Sequence, residues 1–487
     1  MAQTPSTQHE RRWLILALLG VAQLMVVLDA TIVNIALPSA QHALGFSDDS
    51  RQWIVTAYAL AFGSLLLLGG RIGDLFGRKR ALIAGLTGFA AMSALAGFAQ
   101  SFDVLVAARA LQGAFGALLA PSALSILTTT FTDPQERGRA FGIFGAIAGG
   151  GGAIGLLLGG VLTEYLDWRA TMFVNLAFAI PAALAASRLL VNGRPAVRPK
   201  LDLPGSLAGS AGLFALVYGF SNAETHSWAS PVTIGALAGA IVLLSAFVAL
   251  QARGRHPLLP LRVVLDRDRG GSYLAIGVVG AGMFGVFLFL TYYLQRTLGF
   301  SPLQSGLAFL PLTGAIMITA TLVSTRILPR TGPRPLIPAG MTLAAVAMML
   351  LTRVGVDTGY ATHVLPALLL SGMGMGLIFA PAMATATGQV RPEDAGVASA
   401  MVNTMQQIGG SIGTALLSTF SATAATGYVA SHGGPSPAIL DGAAVHGYTT
   451  AFWWSAGIFL VGAAVTSMLL RSGVQGSDPA AAPLLAH

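Results

Sequence analysis

The sequence predicts an all-α polytopic membrane protein with fourteen transmembrane helices, arranged as two six-helix bundles with two inserted helices between them. Three observations predict this fold class: an extreme apolar composition, a one-sided distribution of basic residues, and an internal repeat. Of the 487 residues, 54% are hydrophobic and 9% are charged, and the mean hydropathy is +0.72. A soluble domain carries about a quarter charged residues, whereas a membrane-spanning helix needs about 20 apolar ones. The chain is therefore apolar enough to cross a bilayer many times.

Apolar runs of suitable length follow one another along the whole chain. Backbone groups in lipid must be hydrogen-bonded within their own segment, so each run is predicted to be a helix. The first run is too long for the apolar part of a signal peptide and is interpreted as the first span. The predicted spans, numbered helix 1 to helix 14, cover residues 13–36, 52–70, 80–100, 104–127, 138–161, 168–190, 204–220, 231–250, 271–293, 303–325, 335–352, 362–384, 397–420 and 449–470.

The basic residues define the predicted orientation. Alternate loops on the side of the N-terminus hold 22 of the 27 lysine and arginine residues, the opposite loops hold four, and Arg109 lies inside a span. By the positive-inside rule both termini lie in the cytoplasm, which requires an even number of spans. The net charge of +8 therefore sets membrane topology and does not indicate a nucleic-acid partner.

The two halves of the chain share short motifs at a nearly constant distance. LGFS at 44–47 recurs at 298–301, 254 positions later, and GGAIG at 151–155 recurs as GGSIG at 409–413, 258 positions later. Helices 1–6 and 9–14 are therefore predicted to be parallel repeats, with the substrate site near the midplane between them. The predicted domains are an N-terminal bundle (1–190), a linker with inserted helices 7 and 8 (191–262), a C-terminal bundle (263–475) and a cytoplasmic tail (476–487).

The segment 421–448, between helices 13 and 14, is the longest predicted outer connection. Its glycine, serine, proline and histidine content favours a surface loop or hairpin. We expect it to shape the outer mouth of the molecule and assign it no chemistry.

Asp29 is the acidic residue, among 19, that lies well inside a predicted span. A carboxylate near the centre of a membrane helix costs about 3 kcal/mol, and such residues are usually functional. Helix 1 runs outward and helix 4 inward, so Asp29 and Arg109 lie roughly 10 Å and 8 Å below the same surface. Gln112 follows one turn further on the same face as Arg109. The sequence predicts a coupled polar site in the outer half of the N-terminal bundle.

Two interpretations of this site remain open. In the first, movement of Arg109 or a change of hydration switches Asp29 between a proton-loaded and a proton-released form. In the second, the two charges form a static ion pair that fixes helix packing. The cost of an isolated carboxylate in lipid favours the first.

Glycine-rich segments form two further motifs. The loop at 69–80, GGRIGDLFGRKR, allows a tight turn, and Asp74 can cap a helix or pair with a cation; the same basic residues also serve as a positive-inside determinant. In helix 5, small residues permit close helix approach, either for a sliding contact between bundles or for tight packing alone. The helix 5 residues concerned are Gly151, Gly155, Gly159 and Gly160.

Polar and soft apolar side chains within the spans are candidates for a substrate cavity. Methionine and aromatic side chains adapt to varied ligands, while the helix 13 amides either face a cavity or bond neighbouring helices. The candidate cavity residues are Asn34, Met283, Phe287, Asn403, Gln406 and Gln407. The sequence contains no GxxxxGK[ST] phosphate-binding loop and no candidate metal cluster or catalytic triad, so we expect neither an ATP-driven pump nor an enzyme, and no cofactor or metal.

Several of these segments match motifs of a known family. LDATIVNIALP at 28–38 resembles the first-helix signature of the fourteen-span drug:proton antiporters of the major facilitator superfamily. GRIGDLFGRK at 70–79 is similar to the superfamily's loop 2–3 motif, and RALQG at 109–113 is similar to its helix 4 motif. The resemblance extends from about Trp13 to Arg471.

The resemblance implies alternating access driven by the proton gradient, with the helix 4 arginine tied to proton transfer. It also implies that the loop 2–3 motif latches one conformation by facing the start of helix 13. The latch residues implied in this way are Gly70, Asp74, Gly77, Arg78 and Lys79.

Three positions depart from the pattern. Leu75 stands where a basic residue is common, and Leu156 follows Gly155 where the antiporter motif has a Gly-Pro step. Met283 occupies the repeat position that corresponds to Asp29, so any proton coupling belongs to the N-terminal half.

The predicted function is proton-coupled export of a hydrophobic drug or secondary metabolite across a bacterial cytoplasmic membrane. The expected partners of this transporter, a monomer, are the small hydrophobic substrate, protons and the lipid bilayer. An importer of a nutrient or siderophore with the same fold remains the main alternative, supported by Leu156. A transporter-like sensor or lipid-handling protein is a third possibility.

Overall fold

The structure is a computed structural model that describes residues 5–47, 50–131, 133–191, 202–254, 257–388, 390 and 394–471. The regular structure of this part of the chain is entirely helical and includes no strand. The predicted tail, 476–487, lies outside the described residues. The long helices are α1 (Pro5–Leu44), α2 (Gln52–Phe76), α3 (Arg78–Gly97), α4 (Phe102–Thr130), α5 (Pro134–Tyr165), α6 (Ala170–Leu189), α7 (Leu203–His226), α8 (Pro231–Arg253), α9 (Arg267–Thr297), α10 (Pro302–Thr331), α11 (Pro333–Leu351), α12 (Tyr360–Thr387), α13 (Ala395–Ser431) and α14 (Pro437–Leu469).

Each of the fourteen predicted spans coincides with one of these helices, and the bounds of four spans (80–100, 168–190, 335–352 and 449–470) extend past the helix by up to three residues. Eleven of the described helices are long and apolar enough to cross a membrane, and α2 and α5 contribute the shorter apolar segments Gln52–Leu66 and Ile154–Tyr165. One short helix, Leu261–Val264, precedes α9. Single π-helical turns end α9 (Tyr293–Thr297), interrupt α10 (Val323–Ile327) and begin α12 (Tyr360–Val364).

The repeated motifs adopt the same local backbone in both halves. Gly45 and Gly299, the glycines of the two LGFS motifs, have φ angles of +68° and +67°. Gly77 and Gly332, between α2 and α3 and between α10 and α11, also have positive φ angles. Only glycine adopts this region readily, so the same residue ends corresponding helices in the two repeats.

Helix packing repeats in the same way. In the N-terminal bundle, α1 packs against α5 and α6, α4 against α2 and α3, and α3 against α6. In the C-terminal bundle, α9 packs against α13 and α14, α12 against α10 and α11, and α11 against α14. The contacts between bundles are also paired, because α2 meets α13 and α5 meets α10.

The inserted helices form a hairpin beside one of these contacts. α7 packs on α8, and its other side contacts both α2 and α13, with the rings of Trp53 and Tyr218 6.1 Å apart. Asp202 caps the start of α7 by accepting a hydrogen bond from the Gly205 amide at 2.9 Å. α7 therefore covers a seam where the two bundles meet.

The hydrophobic cores indicate which side of the molecule is closed. We call the side that carries the start of α1 and the end of α14 the terminal side, and the opposite side the far side. On the far side, N-terminal residues such as Ile35, Ile54 and Trp168 share one apolar cluster with the C-terminal bundle. On the terminal side, residues such as Leu19 and Phe89 form a second cluster whose buried members all belong to the N-terminal bundle, with Ala400 of α13 packed against it. The bundles are therefore joined on the far side.

The segment 421–448, for which the sequence favours a surface loop or hairpin, is a hairpin of two helices. α13 continues to Ser431 and α14 begins at Pro437, so the segment is mostly helical. The break is confined to the turn at 432–436, where Gly433 and Gly434 have φ angles of +86° and +102°. The alanine-rich sequence on either side of the turn favours helix, and it overrides the turn signals that the composition suggested.

Candidate functional site

Asp29 and Arg109 form a buried ion pair between α1 and α4. The Arg109 Nη1 atom donates to the Asp29 Oδ2 atom at 2.6 Å, and the two side chains are 1% and 0% exposed. The predicted equal depth of the two charges thus brings them into direct contact. An ion pair of this kind loses its hydration completely, so its geometry and further hydrogen bonds decide whether it is tolerated.

Three neutral side chains complete the surroundings of the carboxylate. Gln112 and Asn175 each donate an amide hydrogen to the Asp29 Oδ1 atom, at 2.8 and 2.7 Å. The same two amides also donate to the Ser93 hydroxyl, at 3.2 and 2.9 Å, and this hydroxyl donates to the Met172 carbonyl at 2.8 Å. Asp29 therefore receives only hydrogen-bond donors, which suits an ionised carboxylate.

Arg109 has partners that do not depend on Asp29. Its Nη1 atom also donates to the Gln112 Oε1 atom at 2.8 Å, and its Nε atom donates to the Ile54 carbonyl at 3.3 Å. The guanidinium carbon lies 4.4 Å from the centre of the Tyr58 ring, within the range of a cation–π interaction. These contacts would continue to hold the guanidinium if the carboxylate lost its charge.

Asn175, Ser93 and Tyr58 were not identified from the sequence. Each is a polar residue within an apolar helix (α6, α3 and α2, respectively), and the sequence shows that polar residue directly. Small neutral polar residues are common in membrane helices and bond their neighbours there, so polarity alone does not single these three out. The missing information was the rotation of each helix about its axis.

The site lies closer to the middle of α1 than predicted, because α1 continues to Leu44, eight residues past the predicted end. Asp29 is therefore about 22 Å from the far end of this helix, by the rise of 1.5 Å per residue. Arg109 remains about 10 Å from the start of α4 on the same side. The far-side extension of α1 places more protein above the ion pair than the sequence indicated.

The helix 5 glycines allow close packing in two directions. A Cβ atom on Gly159 would lie 3.0 Å from the Ile32 carbonyl oxygen, so this side of α5 packs on α1 together with Gly151 and Gly155. A Cβ atom on Gly160 would lie 2.7 Å from the Cα atom of Leu303 in α10. The predicted glycine motif thus contributes both to packing within the bundle and to the contact between bundles.

That contact has a reciprocal partner. A Cβ atom on Gly306 of α10 would lie 2.6 Å from the Leu156 carbonyl oxygen of α5. Leu156 itself is 1% exposed, and α5 continues as a regular helix through this position. The departure from the Gly-Pro step therefore lies in the contact between the bundles.

A second group of contacts closes the far side. Glu164, at the end of α5, accepts hydrogen bonds from the Ser301 hydroxyl and, at 3.0 Å, from the Leu303 amide at the start of α10. Tyr292 of α9 donates its hydroxyl to Gln41 of α1 at 2.7 Å, and the guanidinium carbon of Arg51 lies 4.0 Å from the centre of the Tyr292 ring. Polar contacts thus join the two bundles at this end.

The loop 2–3 residues make contacts within the N-terminal bundle. Arg78 donates to the Ser125 carbonyl at 3.4 Å, and Lys79 donates to the Ser187 and Leu190 carbonyls at 2.7 and 2.6 Å. The Asp74 side chain lies outside the described side chains. Gly70 faces α4, and Gly77 provides the turn, with nothing within 4 Å of an added Cβ atom.

At the predicted contact with the start of α13, Asp394 pairs with Arg262 at 2.8 Å. Arg262 belongs to the short helix before α9, so this ion pair lies within the C-terminal half. The latch stays a prediction.

The candidate cavity residues lie in different environments. Asn34 is buried and bonds the Ala30 carbonyl of its own helix at 3.1 Å. Phe287 is buried with its ring 5.0 Å from that of Phe309, and Met283 is half-buried on the same helix. Asn403 and Gln406 are half-buried on α13. Their role in a cavity stays a prediction.

Gln407 lies in a polar seam between the bundles. Its Cβ atom is 3.0 Å from the position of an added Cβ on Gly63 of α2. Along the same face of α13 and the facing side of α2 lie buried polar groups without a hydrogen-bond partner. The polar seam comprises Thr404, Gln407, Ser411, Thr414 and Ser418 of α13 and Gln52 and Thr56 of α2. Unpaired polar groups destabilise a dry contact, so this contact is well suited to opening.

Among the described residues, no group of three or more histidine, aspartate or glutamate side chains is placed to hold a metal ion. The Asp29 site itself offers a carboxylate that can take up a proton and a guanidinium that pairs with it.

The Asp29 site and the two-bundle fold can be compared with known proteins. A family model described as Major Facilitator Superfamily matches residues 19–414. The chain is 50% identical to the puromycin resistance protein pur8 of Streptomyces alboniger, over 96% of this chain and 93% of that protein. It is 39% identical to the cephamycin export protein CmcT of Amycolatopsis lactamdurans, over 85% of each chain.

Solved structures share the fold at low sequence identity. The peptide transporter PepTSo, of the POT family, superposes with a TM-score of 0.70 at 15% identity, covering 96% of this chain and 98% of that one. A bacterial homologue of the human lysosomal transporter Spinster, in an inward-facing and occupied conformation, gives 0.66 at 18% identity, covering 96% and 97%.

Proposed function

Because the chain belongs to the major facilitator superfamily, we propose that it exports a hydrophobic antibiotic or secondary metabolite in exchange for protons. The observation that carries the proposal is the fully buried ion pair of Asp29 and Arg109, whose carboxylate also accepts hydrogen bonds from Gln112 and Asn175. The names of the relatives supply the substrate class, because they describe resistance to puromycin and export of cephamycin. The transporter acts as a monomer, needs no cofactor and catalyses no covalent chemistry.

Proton exchange at Asp29 would alter the contacts between α1 and α4. In the ionised form the carboxylate holds Arg109 at 2.6 Å. In the protonated form the ion pair is lost, and Arg109 keeps its contacts with Gln112, Ile54 and Tyr58. Loss of the ion pair changes the free energy with which α1 packs against α4. The other side of α1 contacts the α5 glycines. A proton can thus bias the position of α5 against α10.

The conformation fits the loading step of an exporter. By the positive-inside rule the terminal side faces the cytoplasm, in a bacterial cytoplasmic membrane. The far side, closed by Glu164 and Tyr292, then faces outward. A substrate in the cytoplasm would enter between the bundles from the terminal side, and opening of the far side would release it. The polar seam between α2 and α13 would become hydrated when the bundles rock.

Puromycin is the first substrate to test, because the relative named for it is 50% identical to this chain. The purified protein is reconstituted in liposomes, and puromycin movement and internal pH are followed together. We expect an imposed proton gradient to drive puromycin in the direction opposite to the protons. Asp29→Asn should abolish the proton flux, whereas Asp103→Asn, an exposed acid at the start of α4, should leave it unchanged.

The static ion pair is separated from the switch by a double variant. Asp29→Asn combined with Arg109→Gln keeps polar groups of similar size but has no titratable carboxylate. If the charges serve packing alone, this variant will retain full coupled transport, and the proton mechanism is then wrong.

One observation favours the importer as a second candidate. α5 runs through Gly155 and Leu156 as a regular helix, without the proline that the antiporter motif carries. An importer would move its substrate in the same direction as the protons, so the sign of the pH change on adding puromycin or another substrate distinguishes the two.

A further inference from the structure

Asn175 carries an unused hydrogen-bond acceptor inside an otherwise complete network. Its side chain is fully buried in α6, and its Nδ2 atom donates to both Asp29 and Ser93. Its Oδ1 atom has no hydrogen-bond partner. A buried amide oxygen without a partner costs about 1–3 kcal/mol, so its presence beside the fully buried carboxylate of Asp29 requires an explanation.

The donors and acceptors around Asp29 can be accounted for one by one. Gln112 uses its oxygen to accept from Arg109 and its nitrogen to donate to Asp29 and Ser93. Ser93 accepts from two amides and donates to the Met172 carbonyl. An ionised carboxylate accepts hydrogen bonds only, but a protonated one must also donate. In the described surroundings of Asp29, two polar atoms lack a hydrogen-bond partner, the Asn175 Oδ1 atom and the Tyr58 hydroxyl. Of these two side chains, Asn175 is the one already hydrogen-bonded to the carboxylate.

We propose that Asn175 is a positioning residue that responds to the protonation of Asp29 by rotating its amide. This inference rests on the proton-coupled function proposed above. When a proton binds the Asp29 Oδ1 atom, the amide turns so that its oxygen accepts the new O–H, and the hydrogen bonds that its nitrogen donates to Asp29 and Ser93 break. The new O–H is the only covalent bond that forms. The terminal torsion of asparagine is broad and roughly two-fold, so the rotation needs no change of backbone.

Ser93 can follow the rotation. Its hydroxyl now donates to the Met172 carbonyl, and after the rotation it donates to the Asn175 oxygen. The Met172 carbonyl, one turn before Asn175 on α6, then becomes available to the turned amide nitrogen. Loading of the proton is thereby transmitted from α1 to α3 and α6.

The charged and titratable groups that face Asp29 are Arg109 from α4 and Tyr58 from α2. α3 and α6 contribute the neutral Ser93 and Asn175. Arg109 has no lone pair to offer. The Tyr58 ring lies against the guanidinium, and its hydroxyl makes no hydrogen bond to Asp29, so the amide oxygen of Asn175 is the acceptor assigned here.

Infrared difference spectroscopy between acid and alkaline pH tests the rotation directly. The carboxylic C=O band that disappears in Asp29→Asn is the band of protonated Asp29. In the wild type we expect this band at the position of a hydrogen-bonded acid. In Asn175→Leu it should shift to higher wavenumber, while Asn175→Ser, which can both donate and accept, should restore it. Asn222→Leu, which removes a buried amide of α7, should not move it.

Transport provides the second readout. Asn175→Leu should slow proton-driven puromycin transport about tenfold, the factor that corresponds to about 1.4 kcal/mol. Puromycin counterflow, which requires no proton release, should change less than about twofold. A merely structural role of Asn175 would impair both processes together.

The outcomes are separable. An Asp29 band that stays in place in Asn175→Leu overturns the rotation, because the acid then has another acceptor. If the wild type shows no band that Asp29→Asn removes, proton coupling at Asp29 is wrong instead. If the band shifts as expected but puromycin is not moved, the substrate assignment alone is wrong.

Discussion

Removal of the Glu164 carboxylate should open the far side. In the closed form this carboxylate, at the end of α5, accepts from the Ser301 hydroxyl and the Leu303 amide at the start of α10. A hydrogen bond to a charged group contributes about 1.5–3 kcal/mol when shielded. Glu164 is exposed, and exposed charges at helix N-termini contribute about 0.3–1 kcal/mol. We therefore take about 1 kcal/mol for the loss in Glu164→Ala.

A loss of this size changes the ratio of closed to open far-side conformations about fivefold. Glu164→Gln keeps an acceptor but loses the charge, so it should give an intermediate value. The chain contains no cysteine. One cysteine introduced near the end of α5 and one near the start of α10 can therefore be spin-labelled as a single pair. Pulsed electron–electron double resonance then measures the distance between the two labels and gives the populations of the closed and open conformations.

Asp167→Asn is the matched control. This nearby exposed acid pairs with Arg169 in its own bundle, so its loss should leave the populations unchanged. The reasoning is refuted if Glu164→Ala leaves the closed fraction at the wild-type value, or if Asp167→Asn changes it equally.

Three further substitutions test other contacts. Gly306→Ala places a Cβ atom 2.6 Å from the Leu156 carbonyl oxygen and should reduce transport at least tenfold, whereas Gly314→Ala on the same helix meets nothing within 4 Å and should be neutral. Thr414→Val replaces a buried hydroxyl without a partner and should stabilise the protein by about 1 kcal/mol, which a higher melting temperature would show. A lower melting temperature would indicate that the polar seam is hydrated. Tyr58→Phe keeps the ring beside Arg109 and should retain transport. Tyr58→Leu loses a cation–π contact of about 2 kcal/mol and should slow proton-driven transport roughly thirtyfold. Equal rates in the two variants would show that the cation–π contact does not contribute to transport.

The contact between Asp29 and Arg109 could be predicted because it depends on two quantities only, the direction of each helix and the depth of each charge in the membrane. The positive-inside rule gave the direction of each helix, and residue counting gave the depth of each charge. With one deeply placed acid and one deeply placed base, no choice of partners remained. Asn175 and Ser93 required the rotation of α6 and α3 about their axes, which packing against neighbouring helices sets.

The contacts that close the far side could not be predicted from the sequence either. Glu164 and Ser301 are 137 positions apart, and each looks like an ordinary polar residue at a helix end. Their meeting depends on the relative position of two bundles that rock. By contrast, the helical form of the hairpin at 421–448 has a local cause, because the alanines on either side of the 432–436 turn favour helix.

The long hairpin of α13 and α14 offers a place to attach a marker for imaging. α13 has 37 residues and is about 56 Å long, nearly twice the thickness of the bilayer core of about 30 Å. Because Gln407 faces Gly63, the last dozen residues of α13 extend about 20 Å beyond the start of α2, and Tyr428 stacks on His432 with ring centres 3.9 Å apart. Small membrane proteins lack landmarks for particle alignment in electron cryomicroscopy. A rigid scaffold fused at Gly433–Gly434 would supply one without touching the bundles.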